Sequence, residues 1–598
     1  MQVQLIDWSA IGAFFIISAA IGVIASRTAG KSFSEYFLAG GKMSWWMLGL
    51  SMVATTFAAD TPNLVTDIVR RDGVSGNWVW WAFLLTGLLT VFVYAKLWKR
   101  SGVLTDLEFY EIRYSGKPAA WLRGFRAIYL GVVFNCLVMA NVILAGIKLS
   151  SVLLGATPLQ TVIVAGTVTV VYTLLGGLRG VILTDCFQFI IAMVGSIAAA
   201  YFVCQLPEVG GFNALVENPQ LTSKLNLLPD FSDTNVLIPI LIVPLAIQWW
   251  SSWYPGAEPG GGGYVAQRML GAKSESDATT ATLLFQAAHY ALRPWPWIIV
   301  ALASLLVFPT LDDIQVAFPS IDSAIIKDDL AYPAMLTKLP AGWLGIVIAS
   351  LIAAFMSTIS THLNWGASYL AHDFYRRFMN PDASEKQLVF IGRVSTAALM
   401  IVAGFIALNL ESALDSFNII LQIGAGTGLI YILRWFWWRV NAFSEITGMV
   451  VSFAVAIFFK FIYDSTGLPP LEDWQQLIIG VTLTTVAWIA ATFVSPATDA
   501  ETLRDFYLRI RPEGWGWQRI RESITAEGLT EAEADDPGET SLAAGIRALA
   551  ISSFLIYALL FGTGFFLYGQ YISFAICVAV VATASVLLRK TWPALKLG

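Results

Sequence analysis

Hydrophobic positions along this chain form long uninterrupted runs that are separated by short polar segments. A helix needs about 20 apolar residues to cross a bilayer, and counting such windows gives about fifteen spans. The first run, "LIDWSAIGAFFIISAAIGVIAS", has no basic residue before it and is too long for the apolar core of a signal peptide, so we expect it to be retained as a span. The pattern predicts an all-α polytopic membrane protein.

Composition supports this class. Hydrophobic residues make up 57% of the 598 residues and charged residues only 13%, compared with about 25% charged residues in ordinary soluble domains. Four cysteines lie in or beside apolar runs with no paired spacing, so we interpret them as small buried hydrophobic residues. The net charge of -5 says little about partners, because orientation depends on where the basic residues lie.

Basic residues follow the first, third, fifth, seventh, ninth and eleventh spans, which all end on the same side. By the positive-inside rule this side is the cytoplasm. We therefore expect a multi-pass protein of the cell membrane (inner or plasma membrane), with its N-terminus outside and its C-terminus in the cytoplasm. Arg70 and Arg71 are exceptions on the outer side.

Two spans contain residues that a straight membrane helix avoids. The second (44–69) contains "SMVATTFAADTPNLVTDIV" and the seventh (235–268) contains "AIQWWSSWYPGAEPGGGGYVAQRM". Proline removes a hydrogen-bond donor, and unwound backbone at this depth is tolerated only where protein or a water-filled cavity surrounds it. The breaks are five spans apart, as in inverted five-helix repeats around a midplane site. We favour a transport site over two simple kinks.

The ninth span carries four hydroxyl side chains in "MSTIST" (356–361), on neighbouring turns of one helical face. Hydroxyl oxygens together with carbonyls freed by a broken helix are typical ligands of a coupling ion. Ser and Thr are also common packing residues between membrane helices, where each interhelical bond contributes only about 0.6 kcal/mol. The cluster and the broken second span together favour ion binding.

Four stretches, in order along the chain, carry a family resemblance: "YFLAGGKMSWWMLGLSMVATTFAAD" (36–60), "LLGGLRGVILTDCFQ" (174–188), "YVAQRMLGAKS" (264–274) and "LIAAFMSTISTHL…LAHDFYRRF" (351–378). They resemble the sodium:solute symporter family, which includes sodium/glucose and sodium/proline cotransporters with the LeuT-type fold. The resemblance implies one leading helix, a five-plus-five inverted repeat and about four additional C-terminal helices.

The organisation that we expect from this resemblance and from the apolar runs has six parts. They are a leading helix with a cytoplasmic loop (1–43), the first repeat (44–205), the second repeat (206–440), two extra spans (441–494), a cytoplasmic segment (495–545) and a C-terminal hairpin (546–598). We expect the cytoplasmic segment to form an amphipathic helix lying against the membrane, followed by a flexible linker.

The resemblance also implies ligands for sodium, the only cofactor that we expect. The principal ion would be held by the carbonyls of Ala54, Phe57 and Ala354 and the hydroxyls of Ser357 and Thr358. Some family members bind a second sodium ion, and the matching residues here are Asp185, Ser357, Ser360 and Thr361. An ionised aspartate inside the membrane needs a partner. Sodium would supply one; Arg179 and a role in the cytoplasmic gate are the alternatives.

The substrate is expected beside the two breaks. The candidate residues are Asp60, Thr61, Gln248, Trp249, Ser252, Trp253, Tyr254 and Glu258, with Asn418 and Gln422 as weaker candidates. Aromatic planes with hydrogen-bonding side chains suit a sugar or a related polar neutral solute, which we favour; the two acids would suit the ammonium of an amino acid, and a carboxylate is a further alternative. "GAEPGGGG" (256–263) lengthens the family's link in the seventh span and leaves its substrate residues without a residue-by-residue match.

Among the remaining aromatic and titratable residues we expect no site. We interpret seven tryptophans as members of the interfacial belt: Trp80, Trp81, Trp295, Trp297, Trp435, Trp437 and Trp438. The three histidines, His289, His362 and His372, form no metal-ligand pattern.

These observations predict a secondary active symporter that imports a small organic solute with sodium. The alternative class is a solute sensor that reports through 495–545. We expect no enzyme, because no catalytic constellation is visible and "GGGG" is not followed by Lys-Ser or Lys-Thr. The expected partners are the solute, sodium ions and the lipid bilayer, with no nucleic acid and no obligate protein partner.

Overall fold

The structure, a computed structural model, describes residues 3–29, 32–254, 256–410, 421–526 and 542–597. All the named secondary-structure elements within these ranges are helices. Twelve of them are long and apolar enough to cross a membrane. This confirms the all-α polytopic fold. Three expected spans are not among the 12: the second is broken, the fifth is a shorter apolar helix (Pro158–Leu174), and the start of the eleventh lies outside the described residues.

The first third of the chain contains the leading helix and the helices around the first break. They are α1 (Leu5–Ala29), α2 (Phe33–Leu38), α3 (Trp45–Thr56), α4 (Asp60–Asp72), α5 (Val74–Ser101), α6 (Phe109–Arg113), α7 (Gly116–Leu154) and α8 (Pro158–Cys204).

The middle third contains the second break and the hydroxyl-bearing helix. Its helices are α9 (Phe212–Glu217), α10 (Thr234–Ser251), α11 (Gly263–Leu270), α12 (Glu275–Val307), α13 (Leu311–Ala317), α14 (Ala331–Leu336), α15 (Trp343–Met379), α16 (Glu385–Ala407) and α17 (Gly428–Leu433).

The remaining helices follow this core. They are α18 (Ala442–Thr466), α19 (Asp473–Val494), α20 (Ala500–Ile510), α21 (Gln518–Ala526), α22 (Leu542–Leu567) and α23 (Tyr571–Leu595).

Helix α8 contains the two spans that were expected at 158–177 and 181–205. They meet at Gly177, whose φ of 52° and ψ of -162° are not helical. Glycine adopts this conformation without steric penalty, so the chain changes direction here without a loop. The bend separates the fifth span from the sixth, which carries Asp185.

Helices α1, α8 and α15 pack closely and determine where the hydroxyl cluster lies. Asp7 of α1 accepts hydrogen bonds from the amides of Gly342 and Gly345, at 2.7 and 2.8 Å, and so caps the start of α15. Gly195 of α8 faces Ser350 of α15 so closely that a Cβ atom would clash with its hydroxyl. Small residues allow this approach of the two helices, which brings Asp185 beside "MSTIST".

The segment after α19 contains the amphipathic helix that was expected, and its apolar face packs on protein. Helix α20 buries Phe506 and Ile510. Trp517, in the short turn before α21, is also buried, and its indole donates to the carbonyl of Trp435 at 2.8 Å. The Arg113 guanidinium lies over the rings of Phe506 and Trp517. The amphipathic face therefore covers α6 and the end of α5. The expected flexible linker falls largely on 527–541, which lie outside the described residues.

Most of the tryptophans assigned to the interfacial belt are core residues. Five are buried: Trp80, Trp81, Trp295, Trp297 and Trp435. Indole N–H groups find partners inside the protein, for example from Trp297 to Ser196 Oγ at 3.2 Å. The belt interpretation was wrong for these five residues because composition does not show which face of a helix a tryptophan occupies.

Candidate functional site

The first predicted break is present between α3 and α4. Helix α3 ends at Thr56 and α4 begins at Asp60, and Phe57 has φ -85° and ψ 70°. The Phe57 amide donates to the carbonyls of Val53 and Ala54, at 2.9 and 3.1 Å, which closes the last turn of α3. Residues 57–59 are thus non-helical inside buried surroundings, where carbonyl oxygens are not all used by the helix.

The second break is also present and is longer. Helix α10 ends at Ser251 and α11 begins at Gly263, with Ser252 already extended at φ -105° and ψ 150°. The two breaks confirm the prediction that both spans are discontinuous.

Thr358 of α15 reaches the first break. Its hydroxyl donates to the carbonyl of Thr55 at 2.7 Å and to that of Ala354 at 3.1 Å. Thr358 and Ala354 are therefore adjacent to the end of α3, together with Ala54 and Phe57. Ser357 points elsewhere: its hydroxyl donates to Asp185 Oδ1 at 2.6 Å.

Asp185 is the centre of a buried polar cluster. Ser51 donates to Oδ2 at 2.6 Å, and the Arg268 guanidinium lies 3.9 Å from the same oxygen. Both charged side chains are fully buried. The opposite charge beside Asp185 is thus Arg268 and not Arg179, the arginine that was considered from the sequence. Each ion offsets part of the other's desolvation penalty, so removing one alone would leave the other uncompensated.

The last two hydroxyls of "MSTIST" belong to the same cluster. Ser360 accepts a hydrogen bond from the Tyr172 hydroxyl at 2.9 Å, and Thr361 accepts one from Arg268 at 2.7 Å. Thr361 Oγ1 also lies 3.0 Å from Thr55 Oγ1. The cluster therefore combines hydroxyl groups with one buried ion pair, and the sequence did not predict Ser51, Tyr172 and Arg268 as members.

A cavity with charged, hydroxyl and aromatic residues in its lining lies beside the first break. Three predicted substrate residues line it, namely Asp60, Thr61 and Tyr254, and so does Thr358. Further lining residues that sequence reasoning missed are Thr56, Trp80, Asn141, Tyr264, His289, Arg293 and His362. The cavity is therefore continuous with the hydroxyl face of α15.

The cavity holds both signs of charge. Asp60 Oδ2 accepts a hydrogen bond from Asn141 at 3.0 Å, whereas Oδ1 is buried and has no hydrogen-bond partner among the described residues. Arg293 donates to Thr56 Oγ1 and to the carbonyl of His289, both at 3.2 Å. Arg293 and His289 are signalled in the sequence only as isolated polar residues in an apolar run.

The other predicted substrate residues lie outside this cavity. Gln248 donates to the carbonyl of Val79, Trp249 to that of Leu245 and Gln422 to Gln476 Oε1. Trp253 packs on Phe134, and Ser252 and Glu258 are buried away from the cavity. Asn418 lies outside the described residues. Helical spacing cannot place side chains in the irregular stretch from 252 to 262. Residues that are close to the break in the sequence therefore need not line the cavity.

Two interrupted helices, one hydroxyl-bearing helix and a cavity lined by charged and aromatic residues are the features of a sodium-coupled secondary transporter. A model of the sodium:solute symporter family matches residues 36–452. The chain belongs to the sodium:solute symporter family, as its resemblance predicted.

Individual relatives agree with this assignment, and one solved structure has a similar fold. The chain is 25% identical over 480 residues to the sodium/glucose cotransporter of Vibrio parahaemolyticus, covering 78% of this chain and 85% of that protein. It is 24% identical over 531 residues to the sodium/myo-inositol cotransporter 2 of Mus musculus, covering 80% of this chain and 76% of that protein. Its fold matches a Na+-coupled sialic acid symporter in a substrate-bound outward-open state, with a TM-score of 0.67 and 20% identity, over 83% of this chain and 99% of that one.

Proposed function

We propose that this chain imports a sugar or a related polar neutral solute together with sodium by alternating access. The main support is the position of Thr358, which contacts both the proposed ion site and the proposed substrate site. Its hydroxyl donates to the end of the broken helix, and the residue also lines the cavity. Ion occupancy at the break therefore changes the wall of the substrate cavity directly. The glucose and myo-inositol cotransporters among the relatives support a polyhydroxy cargo.

We propose that the principal sodium ion binds between the α3–α4 break and α15. Its ligands would be the carbonyls of Ala54, Phe57 and Ala354 and the hydroxyls of Ser357 and Thr358. The Thr358 hydroxyl already donates to a carbonyl of α3, that of Thr55, and to one of α15, that of Ala354. Carbonyl oxygens from both helices therefore lie within reach of one ion at this position. Ser357 would turn from Asp185 to complete the set.

A second sodium ion is proposed at Asp185, with Ser357, Ser360 and Thr361. Arg268 already compensates the carboxylate, so binding requires that the guanidinium turn away. Asp185→Asn is then expected to lower the sodium Hill coefficient from above one to about one. A parent protein with a Hill coefficient of one, unchanged in the variant, would exclude this second ion.

Aromatic and hydrogen-bonding groups share the cavity, as a sugar requires. Trp80 and Tyr254 contribute aromatic rings to the lining, while Asn141, Thr61 and Asp60 contribute hydrogen-bonding groups. An amino acid or carboxylate is the second candidate, because Arg293 and Asp60 occupy the same cavity. A guanidinium binds a carboxylate with two parallel hydrogen bonds, and Asp60 would accept from an ammonium.

A thermal-shift screen of the purified protein tests the cargo. Sugars, polyols, amino acids and carboxylates are each added with sodium chloride and with choline chloride. We expect a sugar or polyol to raise the melting temperature only in sodium. A sodium-dependent shift with an amino acid or carboxylate alone supports the second candidate, and a shift that is equal in choline contradicts sodium coupling.

We also propose that the N-terminus faces outward and that the chain acts as a transporter and not as an enzyme. The basic residues on the inner side support the orientation. A cysteine added at the N-terminus should react with an impermeant maleimide in intact cells; reaction only after lysis would reverse the topology.

A further inference from the structure

The loop "GAEPGGGG" (256–263) closes the cavity on one side. Gly256 and Ala257 line the cavity, whereas Gly260 accepts a hydrogen bond from the Trp98 indole at 2.9 Å and the Gly263 amide donates to Asp106 Oδ2 at 3.0 Å. The chain from the end of α5 to α6 lies on the predicted cytoplasmic side. The loop therefore separates the substrate cavity from that side.

Glycine is needed in this loop because backbone packs against backbone. Gly260 has a φ of +80°, and a Cβ atom on it would lie 2.5 Å from the carbonyl oxygen of Tyr431. Close packing leaves little room for water around the one ionisable side chain of the loop, Glu258.

Glu258 is buried beside backbone amides of its own loop, with no positive side chain acting on it among the described residues. It is 4% exposed, and its Oε1 atom has no hydrogen-bond partner among the residues that the structure describes. A Cβ atom on Gly263 would lie 2.8 Å from this oxygen and 3.3 Å from a ring carbon of Trp365. Oε1 thus points between a glycine and an indole ring.

The charged surroundings of Glu258 are acidic. Within the described residues, Asp106 is the one charged side chain that interacts electrostatically with the Glu258 carboxyl group. The nearby Tyr264 of α11 is neutral. Asp106 in turn contacts Tyr369 of α15 and lies near Asp373 and Arg434. A buried carboxylate next to a like charge is stable only if a proton or a cation neutralises it.

A metal cation fits poorly at this position. The described residues contain no group of three or more metal-ligating side chains. Three backbone oxygens of the loop already accept hydrogen bonds: those of Glu258 and Gly262 from the amides of Gly261 and Ala266, and that of Gly260 from the Trp98 indole. A proton needs only the single unpaired oxygen.

We propose that Glu258 is a proton-binding residue of the inner gate, protonated while the loop 256–263 packs against residues 98–106 and deprotonated when they separate. On opening, the O–H bond of the carboxylic acid breaks, the proton passes to cytoplasmic water, and the electron pair stays on the carboxylate. Because the closed gate binds the proton more tightly, acid favours the closed gate and alkali favours the open one. The proposal does not depend on the identity of the cargo.

Hydrogen–deuterium exchange of the full-length protein tests this inference without cargo or sodium. Peptides that cover 256–270 and 98–114 are followed between about pH 5.5 and 8.5, corrected for the intrinsic exchange rate. We expect protection of both segments to fall by about tenfold or more as the pH rises in the parent. Glu258→Gln, a neutral mimic of the acid, should remain protected throughout.

Matched variants separate Glu258 from its neighbour. Burial raises the pKa of Asp106 to about 6, so Asp106 also titrates in this range. Asp106→Asn should leave the pH dependence in place, and Glu217→Gln, at an exposed acid, should behave as the parent. The proposal is overturned if Glu258→Gln retains the parent's dependence or if Asp106→Asn alone abolishes it.

Two further outcomes are informative. Glu258→Asp keeps an acid and should keep a pH-dependent loop, which answers the objection that Glu258→Gln is merely misfolded. If sodium at alkaline pH restores protection in the Ser357→Ala variant, where the principal sodium site is weakened, Glu258 binds a metal cation and the proton proposal is wrong.

Discussion

Thr358 is the residue at which ion and cargo meet. Its hydroxyl bonds to the carbonyls of Thr55 and Ala354 and its side chain lines the cavity. A sodium ion at the α3–α4 break would exchange those hydrogen bonds for ion–oxygen contacts. Coupling between the two proposed sites therefore needs no relay across the protein.

Removing this hydroxyl should abolish coupling while leaving the fold intact. We expect Thr358→Ala and Ser357→Ala to raise the sodium concentration for half-maximal stabilisation by about tenfold or more, the effect of losing about 1.4 kcal/mol of ion binding. Sodium-dependent thermal shift measures it. Ser368→Ala is the matched control, because Ser368 is a buried serine of the same helix whose hydroxyl donates to the carbonyl of Trp365, one turn earlier. Equal sodium response in all three variants would contradict the site.

The Asp185–Arg268 pair leads to a stability prediction. Asp185→Asn leaves a buried guanidinium uncompensated, so it should destabilise the protein by about 3–5 kcal/mol. In an Arg268→Gln background the same change should cost much less. Thermal unfolding of the two single variants and the double variant measures the coupling; additive effects would mean that the two charges act independently.

Residue types and local spacing were sufficient to predict part of this site. Four hydroxyls within one helical turn and a half are visible in the sequence, and so is the proline beside Asp60. Arg268 and Tyr172 were missed because their contacts with Asp185 and Ser360 depend on how distant helices pack. The assignments of Ala54, Phe57 and Ala354 as sodium ligands remain predictions.

Among the helices, the contact of α8 with α15 determines the distance between Asp185 and the hydroxyl cluster. Gly195 allows this contact, because any side chain would meet Ser350. The breaks were predictable from Pro, Gly and acidic residues at mid-span. Close helix contacts were not, because the sequence does not distinguish a glycine at a helix–helix contact from a glycine elsewhere in an apolar run.

Adding one methyl group at this contact should therefore be destabilising. We expect Gly195→Ala to lower the free energy of unfolding by about 1–3 kcal/mol through overpacking. Gly12→Ala, on α1, is the control because a Cβ atom there has no neighbour within 4 Å. Thermal unfolding in detergent compares them, and an equal response of the two variants would show that α8 can move away from α15 at no cost.

A second prediction concerns the segment α20–α21, which packs on α6 and the end of α5. Trp517 is fully buried against Trp435, whereas Trp515, two residues earlier, is 87% exposed. Trp517→Ala should cost about 3–5 kcal/mol of local stability and expose the segment to protease, and Trp515→Ala should not. Limited proteolysis measures the release. Equal cleavage of the two variants would show that the segment is held elsewhere.

For the whole molecule, the membrane potential distinguishes the proposed cargoes and ion numbers. Each sodium ion that enters with a neutral solute carries one charge, worth about 2.3 kcal/mol at 100 mV, or roughly 50-fold accumulation. Two ions give the square of this ratio. Proteoliposomes with a potassium diffusion potential, equal sodium on both sides and the solute identified in the screen should show about 50-fold accumulation for one ion.

An anionic cargo behaves differently because one sodium ion and one carboxylate move no net charge. With equal sodium on both sides such a cycle has no driving force, so uptake that only reaches equal concentrations at every potential would favour the carboxylate candidate with one ion. Accumulation near 50-fold with an anion would require a second ion. Replacing sodium by choline, or Thr358 by alanine, should remove accumulation in every case. Accumulation that persists in choline would contradict sodium-coupled import for this chain.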